Sequence, residues 1–551
     1  MIARDPRGTA IVMSSSEPVP DSQTAGAPAG ARGPERLLVA CGALLAVAWI
    51  GWMTRLHAGH WVDDAYIGFR YAEHLRAGLG FVWNAGEAAV EGVTNLGWTL
   101  LLVPFAGSAA LPQAAKLLGL ALLLAAVWLA SRAHRLGAPE AGALERALLP
   151  LLLASQAELV YYSIAGMETG LAAALVAGYL AAAGGRRWWL AGALAGALLV
   201  VRPEAVLVPV LHLALTFAPP ESGREAHRLR RGLGLAFVAL AAVTAWRLAS
   251  FGVPWPNTFV AKPPGAPADL VGRLAALLAA GNVNLPLPYT GLGLLAVAPL
   301  GWLALRRSAR ELADAAAAVA LTGVVFAIYA PADWTETGRF FAPWVPAAAL
   351  LGVRGVFVAA GRLLGSRGPR PARAVAAAIV LAAVVGGTWR SLDLFGPPRT
   401  ERRPGYVTVS ETLLPTVEHL ARTLPRDATL ASRRLGALGY FTELAIFDYS
   451  NGLTDAAVAR LVRANGGDLG TPRHPLLAEL WRERAPEYVL EDLDVVADWL
   501  ERGEQPQAFE IHGVPYRLAR TFPLGDGRSR WALLARAGAP LPPPLPERSE
   551  P

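Results

Sequence analysis

The run "LLVACGALLAVAWIGW" (Leu37–Trp52) gives way, a few residues on, to "HWVDDAYIGFRYAEHLRAGLGFVWNAGEAAVEGVTNLGW" (His60–Trp98). The first stretch is uncharged and approaches the ~20 apolar residues that carry a helix across a bilayer. The second opens on two adjacent carboxylates and is rich in glycine. Apolar runs recur at 95–111, 114–131, 148–163, 168–183, 188–201, 203–217, 232–250, 286–305, 311–330, 339–359 and 374–391. The chain is 54% apolar and 17% charged, with a mean hydropathy of +0.37, where soluble domains carry roughly 25% charge. These features describe a polytopic α-helical membrane protein.

The net charge of +7 would suggest nucleic acid in a soluble chain, but here no nucleic-acid motif accompanies it. The arginines gather in short connectors: "SRAHR" (131–135), "GGRR" (184–187), "REAHRLRR" (224–231), "RRSAR" (306–310) and "RLLGSRGPRPAR" (362–373). Basic connectors stay on the cytoplasmic side of a membrane. All five share that side if 95–111, broken by Pro104, dips into the bilayer without crossing it. The expectation is then eleven spans over 37–391, with the N-terminus cytoplasmic and the C-terminus outside. Residues 1–36 read as a disordered cytoplasmic tail. Cys41, the one cysteine, excludes a disulfide framework and any cysteine-based metal site.

This topology has a chemical consequence. The polar segments 57–94, 165–170, 201–205, 255–262 and 332–339 all fall on the outer face. Polar groups at membrane depth persist where they line a cavity and are functional candidates. Beyond residue 391 the composition turns soluble. Strands at 428–432, 444–449 and 487–492 alternate with helices at 410–424 and 454–466, giving an extracytoplasmic α/β domain over 392–540. Residues 541–551 form a Pro-rich, disordered tail.

Asp63 and Asp64 head a helical stretch on which Ile67, Tyr71 and Leu75 share a face and Gly78 is a stop. One reading makes Asp64 the N-cap of an amphipathic helix lying at the membrane interface. The other makes one aspartate a general base, which must reach a substrate hydroxyl. His57 and His60 extend the pattern to His-x-x-His-x-x-Asp-Asp, a weak divalent-cation motif. Arg70, Arg202, Lys262 and Arg339 supply cations on the same face, suited to a lipid-anchored phosphate. Glu168 and Glu204 are placed to pair with them.

The segments "DDAYIGFRYAEHLRAGLGFVWNAGE…VEGVTNLGW", "GMET", "RPEA", "FGVPWPNTFVAK", "DWTETGRFFAPWVP" and "FDYSNGLTD" follow one another in a characteristic order. The set resembles the bacterial GT-C glycosyltransferases, in particular the terminal arabinofuranosyltransferases of mycobacterial cell walls. That resemblance implies an inverting transferase of the plasma membrane. It moves a sugar from a polyprenyl-phosphate donor to a cell-envelope glycan acceptor, without a required metal. By the same resemblance the base is Asp63 or Asp64, with Asp63 favoured and Asp64 as orienter or second contact, while Arg202, Lys262, Arg339 and Arg70 hold the donor phosphate. Glu91, Thr94, Asn95, Glu168, Glu204, Asn257, Asp333 and Trp334 would contact substrate. "PADW" (331–334) departs from the Gly-Gly-Asp-Trp of the pattern. Arabinofuranose is one sugar among several that the pattern admits. Two other classes compete: a polymerase or ligase using a lipid-diphosphate oligosaccharide, and a lipid-linked sugar transporter.

Overall fold

The computed structural model describes residues 32–216, 223–261, 292–329, 339–395, 413–501, 509–523 and 530–543. Most of the expected N-terminal tail, most of the C-terminal tail, Lys262, Asp333 and Trp334 lie outside the described residues.

Fifteen α-helices precede the C-terminal domain among the described residues. In chain order they are α1 (Arg32–Leu56), α2 (Asp63–Arg76), α3 (Leu96–Leu102), α4 (Leu111–Gly137), α5 (Ala143–Ala154), α6 (Ala157–Ile164), α7 (Thr169–Gly184) and α8 (Trp188–Val201). There follow α9 (Leu207–Thr216), α10 (Arg224–Phe251), α11 (Asn257–Ala261), α12 (Ala298–Ser308), α13 (Arg310–Tyr329), α14 (Val345–Leu364) and α15 (Pro369–Phe395). By length and composition α1, α4, α10, α13, α14 and α15 can each cross a membrane, making the protein multi-pass. The pair α5 and α6, bent by 55°, makes a seventh span if counted as one.

The eleven spans expected from sequence are therefore not reached by helix length among the described residues. Several of the expected runs form helices shorter than these six. Helix α7 is apolar on all faces and almost wholly buried inside the bundle, so protein rather than lipid surrounds it. The run 148–163 breaks at Ser155 and Gln156, whose side chains donate to the Leu152 carbonyl. The segment 95–111 opens with α3 and a 3-10 turn ending at Phe105. At 1.5 Å per residue those ten residues rise about 15 Å, half of a hydrocarbon core.

Small residues set how closely the helices approach. Gly192 and Gly196 of α8 form a G-x-x-x-G stripe against α10, and a Cβ on Gly192 would lie 1.7 Å from the Gly232 carbonyl oxygen. No side chain fits there.

The C-terminal domain is one six-stranded sheet of β1 (Thr429–Ser432), β2 (Ala445–Phe447), β3 (Tyr488–Asp492), β4 (Phe509–Ile511), β5 (Val514–Pro523) and β6 (Arg530–Arg536), in the order β2-β1-β3-β6-β5-β4. The strands and helices read from sequence form its parallel half, β2-β1-β3, with α16 (Leu414–Thr423) and α18 (Ala456–Asn465). Strands β4 to β6 add an antiparallel half beyond the strands expected from sequence. Between β1 and β2 lies α17 (Gly436–Thr442), which packs on α2. Tyr66 of α2 meets Tyr440 and Phe441 of α17, with ring centroids 5.5 and 5.1 Å apart.

Helix α2 is therefore not an amphipathic helix at the membrane surface. Residues Ala65 to Ala72 are all buried, between the bundle on one side and the C-terminal domain on the other. Neither aspartate caps it, because the N-cap position belongs to Val62.

Candidate active site

The two neighbouring aspartates point at different partners. The Asp63 carboxylate accepts the backbone N–H of Ala437 at 2.8 Å and of Gly436 at 3.2 Å, at the start of α17. A Cβ on Gly436 would come within 1.9 Å of the Asp63 carbonyl oxygen, so glycine is required there. Burial pushes the Asp63 carboxyl above the usual carboxylate range, opposed chiefly by the hydrogen bond from Ala437. Asp64 turns the other way. Its Oδ2 accepts from Arg339 Nη1 at 2.8 Å, and its side chain remains 27% exposed.

Asp64 and Arg339 line a cavity of about 90 Å³ at this end of the bundle, with Thr94, Asn95, Glu168 and Arg202. Arg202 follows α8 directly; its Nη2 lies 3.1 Å from Glu168 and its Nη1 3.5 Å from Glu204. Its Nε, buried, meets no acceptor among the described residues. Asn95 Nδ2 donates to Glu168 at 2.8 Å, and Thr99 Oγ1 donates back to Asn95. The 3-10 segment Pro203–Val206, with proline at its first position, ends α8 so that Arg202 faces the cavity instead of lipid. Two guanidiniums and two carboxylates thus meet in a half-enclosed space where the low dielectric strengthens each interaction.

Other expected site residues stand elsewhere. Arg70 is wholly engaged in holding the outer loop to the C-terminal domain. It donates to the carbonyls of Trp83, Gly439 and Leu444 and to Asn84 Oδ1, and it stacks on the Trp83 ring at 4.4 Å. Burial lowers its pKa to about 10. Glu91 forms a bidentate pair with Arg247, at 2.7 and 2.9 Å, away from the cavity lining. Asn257 Nδ2 donates to the carbonyls of Gly452 and Leu453. The geometry of Arg70, Glu91 and Asn257 is that of structural ties rather than ligand contacts.

His57 and His60 face each other, Nδ1 to Nδ1 at 3.0 Å, and Lys116 Nζ donates to both of their carbonyls. Among the described residues no group of three or more His, Cys, Asp or Glu is arranged to hold a metal ion. Sequence reasoning missed Arg247, Thr258, Phe340 and Leu453; the last three line the cavity. A signal existed for Arg247, a lone charge near the end of an apolar helix, which marks an internal partner.

A family model described as a domain of unknown function (DUF8728) matches residues 406–535. No curated protein matches the sequence. Among solved structures, ArnT from Cupriavidus metallidurans bound to undecaprenyl phosphate superposes with a TM-score of 0.54 at 16% identity. The match covers 94% of this chain and all of that one. The archaeal oligosaccharyltransferase AglB from Archaeoglobus fulgidus, in complex with an inhibitory peptide and a dolichol-phosphate, gives 0.52 at 11% identity over 85% and 70% of the two chains.

The fold is that of the GT-C membrane glycosyltransferases.

In this GT-C fold the cavity sits where the membrane bundle meets the sheet domain. Leu453, from the loop after β2, forms part of its wall, so the soluble domain completes the site. The basic connectors lie at the opposite end of the same helices, where Ser308 Oγ donates to the Gly137 carbonyl and Arg186 pairs with Glu311.

Proposed function

We propose that the protein is an inverting glycosyltransferase that moves a sugar from a polyprenyl-phosphate donor to a hydroxyl of a cell-envelope glycan. One observation carries the reading: an aspartate and two arginines, distant in sequence, line one cavity at the junction of bundle and sheet domain. The basic connectors support a plasma-membrane orientation with this cavity and the C-terminal domain outside and the N-terminus cytoplasmic. Arabinofuranose is the sugar the resemblance favours.

Asp64, rather than Asp63, is the general base in this proposal. It accepts the acceptor hydroxyl proton while that oxygen forms a bond to the anomeric carbon. The bond from the anomeric carbon to the phosphate oxygen breaks, and its electron pair leaves with the polyprenyl phosphate. Arg339 and Arg202 stabilise the charge on the departing phosphate, and Arg339 also orients the base. Arg202 carries a further N–H, on Nε, for an incoming acceptor atom. Lys262, outside the described residues, is proposed as a third cation, and Asp333 and Trp334 as donor contacts. Thr94, Asn95 and Glu168 are proposed to meet the sugar, with Glu204 holding Arg202.

The test is transfer of radiolabel from polyprenyl-phosphoryl arabinofuranose, and from polyprenyl-phosphoryl mannose, to delipidated envelope glycan by the protein in nanodiscs. Product is expected from one donor. Loss of product in Asp64→Asn with an unchanged melting profile supports the assignment. Full activity in that variant refutes it.

A further inference from the structure

At the end of the bundle remote from the cavity, α1, α4 and α5 enclose a groove of about 250 Å³. Its walls are stripes of apolar side chains. Val39, Ala43 and Val47 recur every four residues on α1, facing Leu124 and Trp128 of α4. Val47 and Trp128 are 49% and 57% exposed, so the groove opens toward the bilayer. Arg135 and Arg146 stand among its lining residues.

The charges around this groove are unbalanced. The charged neighbours of Arg135 are Arg132 and Arg146, all of one sign. The nearest carboxylates in sequence are already engaged, Glu145 by His134 at 3.0 Å and by Arg354 at 3.2 Å, and Glu140 by Arg354. Among the described residues none of the three arginines forms an ion pair. Arg146 donates to the Pro139 carbonyl at 2.6 Å, and its buried Nε meets no acceptor. Like charges gathered at the end of an apolar slot complement an anion that carries a hydrocarbon chain. Basic pockets between membrane helices bind anionic headgroups for this reason.

We propose that this groove binds one anionic phospholipid, with its phosphate at Arg135 and Arg146 and one acyl chain between α1 and α4. The length of the slot identifies the occupant. Val39 and Ile50 bound its α1 wall, a rise of about 16 Å, which matches one leaflet of a ~30 Å hydrocarbon core. A polyprenyl chain would overrun it. The bound lipid fills the seam between α1 and α4 and neutralises the arginines.

The test is native mass spectrometry of the full chain in detergent with phosphatidylglycerol or phosphatidylcholine of matched acyl chains. Retention of phosphatidylglycerol should exceed that of phosphatidylcholine by about tenfold. The preference should vanish in the Arg135→Gln/Arg146→Gln variant and survive in the Arg135→Lys/Arg146→Lys variant. Equal retention of the two lipids, or an unchanged preference in the glutamine variant, overturns the proposal. So does undecaprenyl phosphate outcompeting phosphatidylglycerol for the same arginines. A second readout needs no charge substitution. Phosphatidylglycerol brominated on its acyl chain should quench the emission that is lost in Trp128→Phe, and absence of that quenching also overturns the proposal.

Discussion

Two sets of polar side chains meet around the junction of α2 with the sheet domain, and they behave oppositely. Asp64, Arg339, Arg202 and Glu168 border a cavity, and the buried Arg202 Nε meets no acceptor among the described residues. Asp63, Arg70, Glu91 with Arg247, and Asn257 are directed at backbone groups or at one another, and they fasten the outer loop and sheet domain to the bundle. The two sets look alike in sequence, since both are polar residues in glycine-rich outer segments. The difference lies in whether the partners are fixed protein groups. A tie is saturated; a site keeps room for something that arrives.

The sharpest way to break this comparison is to treat the adjacent aspartates alike. Asp64→Asn keeps the shape and removes the proton acceptor, so kcat is expected to fall about 10³-fold with no change in melting temperature. Asp63→Asn places an NH₂ against the N–H of Ala437. It is expected to lose about 1–3 kcal/mol of stability while active protein retains most of its kcat. A reversal of these outcomes would return the base assignment to Asp63.

Next come the cavity arginines. Arg202→Gln and Arg339→Gln are each expected to lower kcat/KM about 10²-fold. In Arg202→Gln the loss should appear mainly in the donor KM; in Arg339→Gln it should appear in kcat, because Asp64 loses its partner. Steady-state kinetics with varied donor separates the two. Identical KM and kcat changes in both would dissolve the division of labour.

Arg70 tests the other set. Arg70→Lys replaces a fork with a single point charge and strips donors from the carbonyls of Gly439 and Leu444 and from Asn84. Loss of about 2–3 kcal/mol is expected, measured by thermal unfolding in detergent, with kcat per folded molecule unchanged. Specific loss of donor binding in a stable Arg70→Lys protein would move Arg70 back among the phosphate ligands.

The class of fold was legible because it rests on composition and on arginine placement, both properties of one residue at a time. The face on which Asp63, Asp64, Arg202 and Arg339 gather was legible for the same reason. The lengths and surroundings of the individual helices were not. An apolar run such as 168–183 reads the same whether lipid or protein surrounds it, and α7 is surrounded by protein. The roles of Asp63, Arg70 and Glu91 were also hidden. Their partners are Gly436 and Ala437, Gly439 and Leu444, and Arg247, more than 150 positions away in sequence. Strands β4 to β6 escaped notice because they pair in an antiparallel meander whose pattern is short and broken by arginines.

The smallest effect concerns the loop that serves both sets. Residues 448–455 offer Gly452 and Leu453 carbonyls to Asn257, and Leu453 also borders the cavity. The buried Asp448 carboxylate organises this loop by accepting from Asn451 N–H, Thr454 N–H and Thr454 Oγ1. Burial pushes its pKa up to about 6, against these hydrogen bonds. In the unfolded chain an aspartate releases its proton near pH 3.9. Between about pH 4 and 6 the folded state therefore holds a proton that the unfolded state has lost, so stability falls as pH rises through this window. Above the upper limit the penalty is complete, at about 2–3 kcal/mol. Asp448→Asn removes the titration. The difference in unfolding free energy between wild type and variant should therefore shift in the variant's favour from pH 4.5 to pH 7.5. Measuring that difference, rather than either curve alone, cancels the other carboxylates. A difference independent of pH would mean that Asp448 stays ionised in the fold, its buried charge held by two backbone N–H groups and the Thr454 hydroxyl.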